Sequence, residues 1–97
     1  MANISIEELN LLIGKINIID IRSSQSYNNN HIPTAINIPF EKLMVNPGQY
    51  LEQTKKYFIY CRSGITSLKA CNMLSNRGYK VVNIKGGYEE WIIKGGN

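Results

Sequence analysis

Tyr57-Phe58-Ile59-Tyr60-Cys61-Arg62-Ser63-Gly64-Ile65-Thr66-Ser67-Leu68 decides the fold. Four aromatic and β-branched residues form a buried strand, because such side chains pack well on a pleated surface. The strand runs straight into a cysteine, a short loop with one glycine follows, and Ser67 to Arg77 reads as a helix. Leu68, Cys71 and Leu74 recur on one face of that helix, and Gly78 stops it. Val81-Val82-Asn83-Ile84 is the next strand, Gly86-Gly87 a turn, and Tyr88 to Lys94 a last helix anchored by Trp91.

The same alternation extends toward the N-terminus. Lys15 to Arg22 holds four isoleucines within six residues, a strand signature, and Ala35-Ile36-Asn37-Ile38 is a second short strand ended by Pro39. Between them, Ser23 to Asn30 is polar and reads as a loop or short helix. Phe40 to Met44 forms one or two helical turns, Pro47-Gly48 marks a turn, and Tyr50-Leu51 belongs to another short helix. At the start, Ser5 to Ile13 places apolar residues at 6, 9, 12 and 13, a helical spacing. Ser5 and Glu8 there fit a capping box, and Gly14 suits the stop. Strands alternating with helices predict parallel βαβ units under two helical layers, with about four to five strands. Ligands in such sheets bind beyond the carboxyl ends of the strands, where Cys61 stands.

Composition narrows the function classes. The 97 residues are 43% apolar and 19% charged, which is globular and enough for one domain, 1–97, with a modest core. No apolar run approaches the roughly 18–20 residues of a membrane span, and the first residues lack the basic-then-apolar order of a secretion signal. Two cysteines without such a signal imply free thiols in a reducing compartment, and a cytoplasmic location is expected. Eleven basic against seven acidic residues give a net charge of +4, suited to small anions or acidic partners. The lysines are scattered, so neither nucleic acid nor a membrane surface is an expected partner. One histidine and two distant cysteines offer no metal-ligand set.

Chemistry concentrates at Cys61. A strand, a short loop and a helix start can turn successive backbone N–H groups toward one point and aim a helix N-terminus at it, stabilising an anion on the sulfur. Gly64 supplies a backbone conformation that residues with a Cβ resist, and Arg62 adds a permanent charge at the mouth. Cys71, on the helix face with Leu68 and Leu74, is expected in the core, as are Tyr88, Trp91 and Ile92.

Four ordered stretches resemble one family. Ile18-Ile19-Asp20-Ile21-Arg22 followed by His31-Ile32-Pro33-Thr34-Ala35-Ile36-Asn37-Ile38-Pro39 looks like the opening signature of the rhodanese domains. Cys61-Arg62-Ser63-Gly64-Ile65-Thr66-Ser67 resembles their active-site loop. Gly78-Tyr79-Lys80-Val81 with Ile84-Lys85-Gly86-Gly87 and Trp91 resembles their closing signature. The resemblance spans roughly Ile4 to Trp91. It implies a rhodanese-like three-layer α/β/α fold and a sulfurtransferase in which Cys61 takes sulfane sulfur from thiosulfate or another persulfide donor. The resulting persulfide passes it to cyanide, a low-molecular-weight thiol or a protein cysteine, and no cofactor is implied. By the same resemblance, backbone N–H groups of Arg62, Ser63, Gly64, Ile65, Thr66 and Ser67 cradle the persulfide. In the family, Asp20 and Arg22 would tie loops together near the site, with attraction of the anionic substrate as the other reading of Arg22, and His31 would hydrogen-bond within a loop. Charge, apart from the resemblance, would let Arg62, Lys85 and Lys69 attract an acidic acceptor to the Cys61 mouth.

The chain also departs from the family pattern. Many relatives carry glycine where this sequence has Asn30 and Thr34. Many place a basic residue where Ser63 or Thr66 stands, leaving Arg62 as the only charge in this loop and predicting weaker binding of dianionic thiosulfate. Phosphatases of a related fold need an arginine closing a Cys-x5-Arg loop, and that position here is Ser67. Two further readings keep the fold. One is a carrier that accepts sulfur from one protein and hands it to another; the other is a binding module without catalysis.

Overall fold

The apolar strands assemble as expected, into a single parallel sheet. The computed structural model describes residues 2–96. Its five strands are β1 (Ala2–Ile4), β2 (Asn17–Asp20), β3 (Ile36–Asn37), β4 (Lys56–Tyr60) and β5 (Lys80–Ile84). They lie in the order β1-β5-β4-β2-β3, and all four neighbouring pairs are parallel. The helices are α1 (Ile6–Asn10), α2 (Ser24–Asn29), α3 (Phe40–Val45), α4 (Ile65–Asn76) and α5 (Gly87–Ile93), with a 3-10 turn at Pro47–Gln49.

Strand alternation divides the core into two layers. Tyr57, Ile59 and Cys61 point to one face with Ile19, Val81 and the α3–α4 residues Leu43, Ala70, Cys71 and Leu74. Phe58 and Tyr60 point to the other, with Ile18, Val82, Ile84, Ile6 and Leu9 of α1 and Trp91 of α5. The central strands are covered on both faces, which explains their near-continuous apolar runs. Cys61 therefore leaves the carboxyl end of β4 on the α4 side.

Five expectations need correction. β1 was not anticipated; Ala2, Asn3 and Ile4 have little strand signature of their own and pair with Val82, Asn83 and Ile84 at the open edge of β5. The first helix does carry the Ser5–Glu8 capping box, but it ends at Asn10 and continues in turns, leaving Leu11 exposed. No helix forms at Tyr50-Leu51; the helical turn lies just before it, a 3-10 turn over Pro47–Gln49 that Pro47 opens and Tyr50 closes. On α4 the buried face is Ser67, Ala70, Cys71 and Leu74, and Leu68 is 39% exposed. The helix is rolled because Ser67 finds buried polar partners that Leu68 could not use. Ile92 on α5 is likewise exposed, while Trp91 is buried.

Candidate functional site

Gly64, not a residue after the loop, caps α4. Its φ of 94° is left-handed, it offers no side-chain cap, and an added Cβ would stand 2.9 Å from the Gly86 backbone nitrogen. The helix therefore starts at Ile65, so Ile65, Thr66 and Ser67 form its first turn rather than part of the loop. First-turn N–H groups have no carbonyl partner within a helix, and with no side chain capping them they face the cysteine end of β4.

Two backbone donors reach the sulfur. Gly64 N–H lies 3.1 Å and Ser67 N–H 3.3 Å from Cys61 Sγ, and the Cys61 thiol donates to Ser67 Oγ at 3.4 Å. The backbone N–H groups of Arg62, Ser63, Ile65 and Thr66 make no bond to Sγ itself among the described residues. Ser67 Oγ, wholly buried, donates to Asn83 Oδ1 at 2.6 Å, and Asn83 Nδ2 donates to Asn3 Oδ1 at 3.0 Å. Cys61 is 6% exposed at the floor of a cleft of about 460 Å³ lined by Ile21, Arg22, Ser26, Cys61, Arg62, Thr66, Tyr88 and Glu89.

The carboxyl edge of β2 braces one wall. Asp20 is fully buried, and its carboxylate accepts from Arg22 N–H at 2.8 Å, Arg22 Nη2 at 2.7 Å and the Tyr60 hydroxyl at 2.6 Å. Arg22 Nη2 also donates to the Asn30 carbonyl at 2.6 Å, and its guanidinium lies 4.1 Å from the centre of the Tyr88 ring. Burial works to lower the Arg22 guanidinium, but the hydrogen bond and charge of Asp20 outweigh it and hold it above its ordinary value. Burial and then the Asp20 hydrogen bond push the Tyr60 phenol up, so it stays a donor. Arg22 is thus a spent cation, tying β2, the end of α2 and α5 together at the cleft wall.

The other residues singled out in the sequence fall in four places. Arg62 is exposed at the cleft mouth, with its Nε 3.6 Å from Glu89 Oε2. Lys85 is exposed on the far side of the loop, beside Asn3, Ser63, Gly64 and Gly86, and does not line the Cys61 cleft. His31 is half-buried, stacks on Tyr27 at 3.8 Å, donates Nδ1–H to the Tyr27 carbonyl at 2.9 Å, and also lies outside the cleft. Cys71 is buried on the inner face of α4, and burial followed by the charge of Cys61 pushes its thiol up to about 12.

Sequence reasoning missed Asn83, Asn3, Tyr60, Tyr88 and Glu89 as site residues. Asn83 carried a readable signal, a carboxamide inside an otherwise apolar strand, where a buried polar group needs a partner. Glu89 carried none, since only the fold brings α5 to the loop. Among the described residues no cluster of three His, Cys, Asp or Glu is placed to hold a metal ion, and no helix is long and apolar enough to cross a membrane.

The pattern of the family described as Rhodanese-like domain matches residues 5–94. Thiosulfate sulfurtransferase GlpE of Shewanella oneidensis is 34% identical over 77 residues, covering 78% of this chain and 75% of that protein. The probable molybdopterin-synthase adenylyltransferase of Porphyra purpurea is 35% identical over 81 residues, 82% of this chain but only 21% of that longer protein. The crystal structure of a rhodanese-related protein from Thermoplasma volcanium superposes with a TM-score of 0.90 at 30% identity, covering 100% of this chain and 96% of that one.

Proposed function

The chain belongs to the rhodanese-like domain family, and from that premise we propose that it is a sulfurtransferase with Cys61 as its nucleophile. The observation that carries the reading is the pair of backbone N–H groups on Cys61 Sγ, from Gly64 at 3.1 Å and Ser67 at 3.3 Å. Fixed dipoles of this kind favour negative charge on the sulfur without reorganising during reaction.

In the first half-reaction the Cys61 thiolate attacks the outer sulfur of thiosulfate. A new S–S bond forms, the old one breaks, and sulfite leaves with the bonding pair. The added sulfur stands about 2 Å beyond Sγ, carries the negative charge, and meets the first-turn N–H groups of α4. In the second half-reaction cyanide, a low-molecular-weight thiolate or a protein cysteine attacks that outer sulfur. Thiocyanate or an acceptor persulfide departs and the Cys61 thiolate is restored, so one difficult transfer becomes two displacements. Two unpaired cysteines and a nucleophile that must stay reduced fit the cytoplasm.

One observation favours a persulfide donor or a protein-to-protein relay over thiosulfate. The only cation of the loop, Arg62, faces the Glu89 carboxylate, and Arg22 is neutralised by Asp20. Little net positive charge remains at the mouth for a dianion.

Intact mass of the reduced protein after thiosulfate, followed by cyanide and a thiocyanate assay, tests the reading, with Cys61→Ala alongside. A gain of one sulfur atom, lost to cyanide and absent in the variant, is expected. Slow turnover after loading selects the relay. No gain from thiosulfate or from polysulfide removes the sulfurtransferase reading and leaves a binding module.

A further inference from the structure

Ser67 has one hydroxyl proton and two claimants for it. With Cys61 as a thiol, the proton goes to Asn83 Oδ1 at 2.6 Å and the hydroxyl oxygen accepts from the thiol at 3.4 Å. Once Cys61 is ionised that arrangement fails, because a lone pair of Ser67 Oγ then faces the negative sulfur. The hydroxyl must turn toward sulfur, and a buried Asn83 oxygen would be left without its donor, a cost of about 1–3 kcal/mol.

A carboxamide resolves the conflict where most side chains could not. Asn83 is both donor and acceptor. Turned over, it donates Nδ2–H to Ser67 Oγ and accepts at Oδ1. The register of β1 on β5 sets Asn3 opposite Asn83, and Asn3 is itself a carboxamide that can turn to supply the donor. We propose that Asn3, Asn83 and Ser67 form a reversible hydrogen-bond relay that responds to the charge on Cys61. Its direction runs from sulfur toward β1 in the thiol and from β1 toward sulfur in the thiolate and the persulfide. In the second direction the sulfur receives three donors: Gly64 N–H, Ser67 N–H and Ser67 O–H. The thiol proton leaves to solvent through the cleft, and no other bond is made or broken. Asn83 and Asn3 are positioning residues that act through Ser67.

Other groups around Cys61 do not supply this response. Arg22 comes from β2 and is committed to Asp20 and Asn30, Arg62 faces Glu89 of α5, Tyr88 contributes a ring wall, and Cys71 lies below on α4. None of them is hydrogen-bonded to the sulfur among the described residues.

The relay rests on the sulfurtransferase reading for its purpose but not for its test, which uses no sulfur donor. The measurement is the pH profile of Cys61 alkylation by iodoacetamide in the native full chain, followed by intact mass and peptide mapping. Asn3→Asp lies on the exposed edge strand and offers Asn83 only acceptors, which holds the carboxamide in its thiol-state direction and the Ser67 proton away from sulfur. Alkylation at pH 7 is expected to slow about tenfold, an upward move of about one pH unit in the midpoint. In a Ser67→Ala background, Asn3→Asp is expected to have no further effect. Equal slowing in both backgrounds is a through-space charge effect and overturns the relay. An unchanged profile in Asn3→Asp overturns it as well. Failure of sulfur loading with the expected alkylation profiles would sink the sulfurtransferase reading alone.

Discussion

Tyr88 donates its backbone N–H to the Cys61 carbonyl at 2.9 Å, and Glu89 does the same for Arg62 at 2.9 Å. The first turn of α5 thus grips the backbone of the cysteine loop from the side opposite α4. The grip requires that the chain approach closely at Gly87. Its φ is 60°, and a Cβ there would collide with the carbonyl oxygens of Cys61 and Arg62. The loop is therefore shaped by two helix starts, one bonded to its sulfur and one to its carbonyls.

Gly87→Ala should accordingly damage site and stability together. The left-handed backbone and the collision are expected to cost about 2–4 kcal/mol, with sulfur loading slowed more than tenfold in the fraction that remains folded. Urea unfolding and mass-detected loading at low temperature check this. A stable variant that loads normally would show that the α5 grip does not set the loop.

The Asp20 network should behave as structural support. Tyr60→Phe leaves one Asp20 oxygen short of a donor and removes the acceptor that holds Ile32 N–H at 3.1 Å. Both groups are buried, and a loss of about 2–4 kcal/mol is expected. Asp20→Ala strands Arg22 beside the cleft without its partner and should cost about 3–5 kcal/mol. Denaturant titration separates these values, and a loss under 1 kcal/mol for both would contradict the network's role (surface ion pairs reach only about that much).

Thr34 has a φ of 71°, the only non-glycine residue with positive φ among those described. A β-branched side chain disfavours that conformation. Thr34→Gly is expected to raise stability by about 0.5–1 kcal/mol after the added freedom of the unfolded chain is counted. A thermal melt should show a gain of several degrees; a lower midpoint would mean that the threonine side chain contributes more than its backbone costs.

Much of this was legible in the sequence because it was local. The strands β2, β4 and β5 announce themselves by β-branched and aromatic runs, and strand–Cys61–loop–helix needs no long-range information. The hidden parts depend on partners distant in the chain. β1 exists because β5 has an open edge. Ser67 displaces Leu68 from the buried face because Asn83 waits across the sheet. The start of α4 at Ile65 rests on a left-handed Gly64 packed against Gly86, not on a polar cap. Glu89 meets Arg62 only after α5 has docked.

The two thiols should be told apart by alkylation. Cys61 opens to the cleft, whereas Cys71 is sealed between α4 and the sheet with its thiol pushed up to about 12. One adduct is expected in the native protein, at Cys61, and two in denaturant. The same shift predicts alkaline instability. Folding holds the Cys71 thiol protonated, so its contribution is whole below the unfolded thiol's ordinary value of about 8.5 and declines as pH rises toward about 12. Cys71→Ala should flatten that decline. A native adduct at Cys71 would mean that α4 opens more readily than its packing implies.

Glu89 should set how well the site tolerates dianions. Its carboxylate lies 3.6 Å from Arg62 Nε at the mouth, and both side chains are exposed. Glu89→Gln removes the competing charge and leaves Arg62 available to an incoming anion. Sulfur loading from dilute thiosulfate is expected to rise severalfold, through a lower KM with kcat little changed. Arg62→Gln should move KM the other way. Because the pair is exposed, both effects should shrink as ionic strength rises and the Debye length falls below about 8 Å. Alkylation of Cys61 by neutral iodoacetamide should respond to neither substitution, since the reagent carries no charge for Arg62 to hold. Equal responses from thiosulfate loading and from alkylation would place the effect in loop geometry, through the Glu89 N–H bond to the Arg62 carbonyl, instead of in charge.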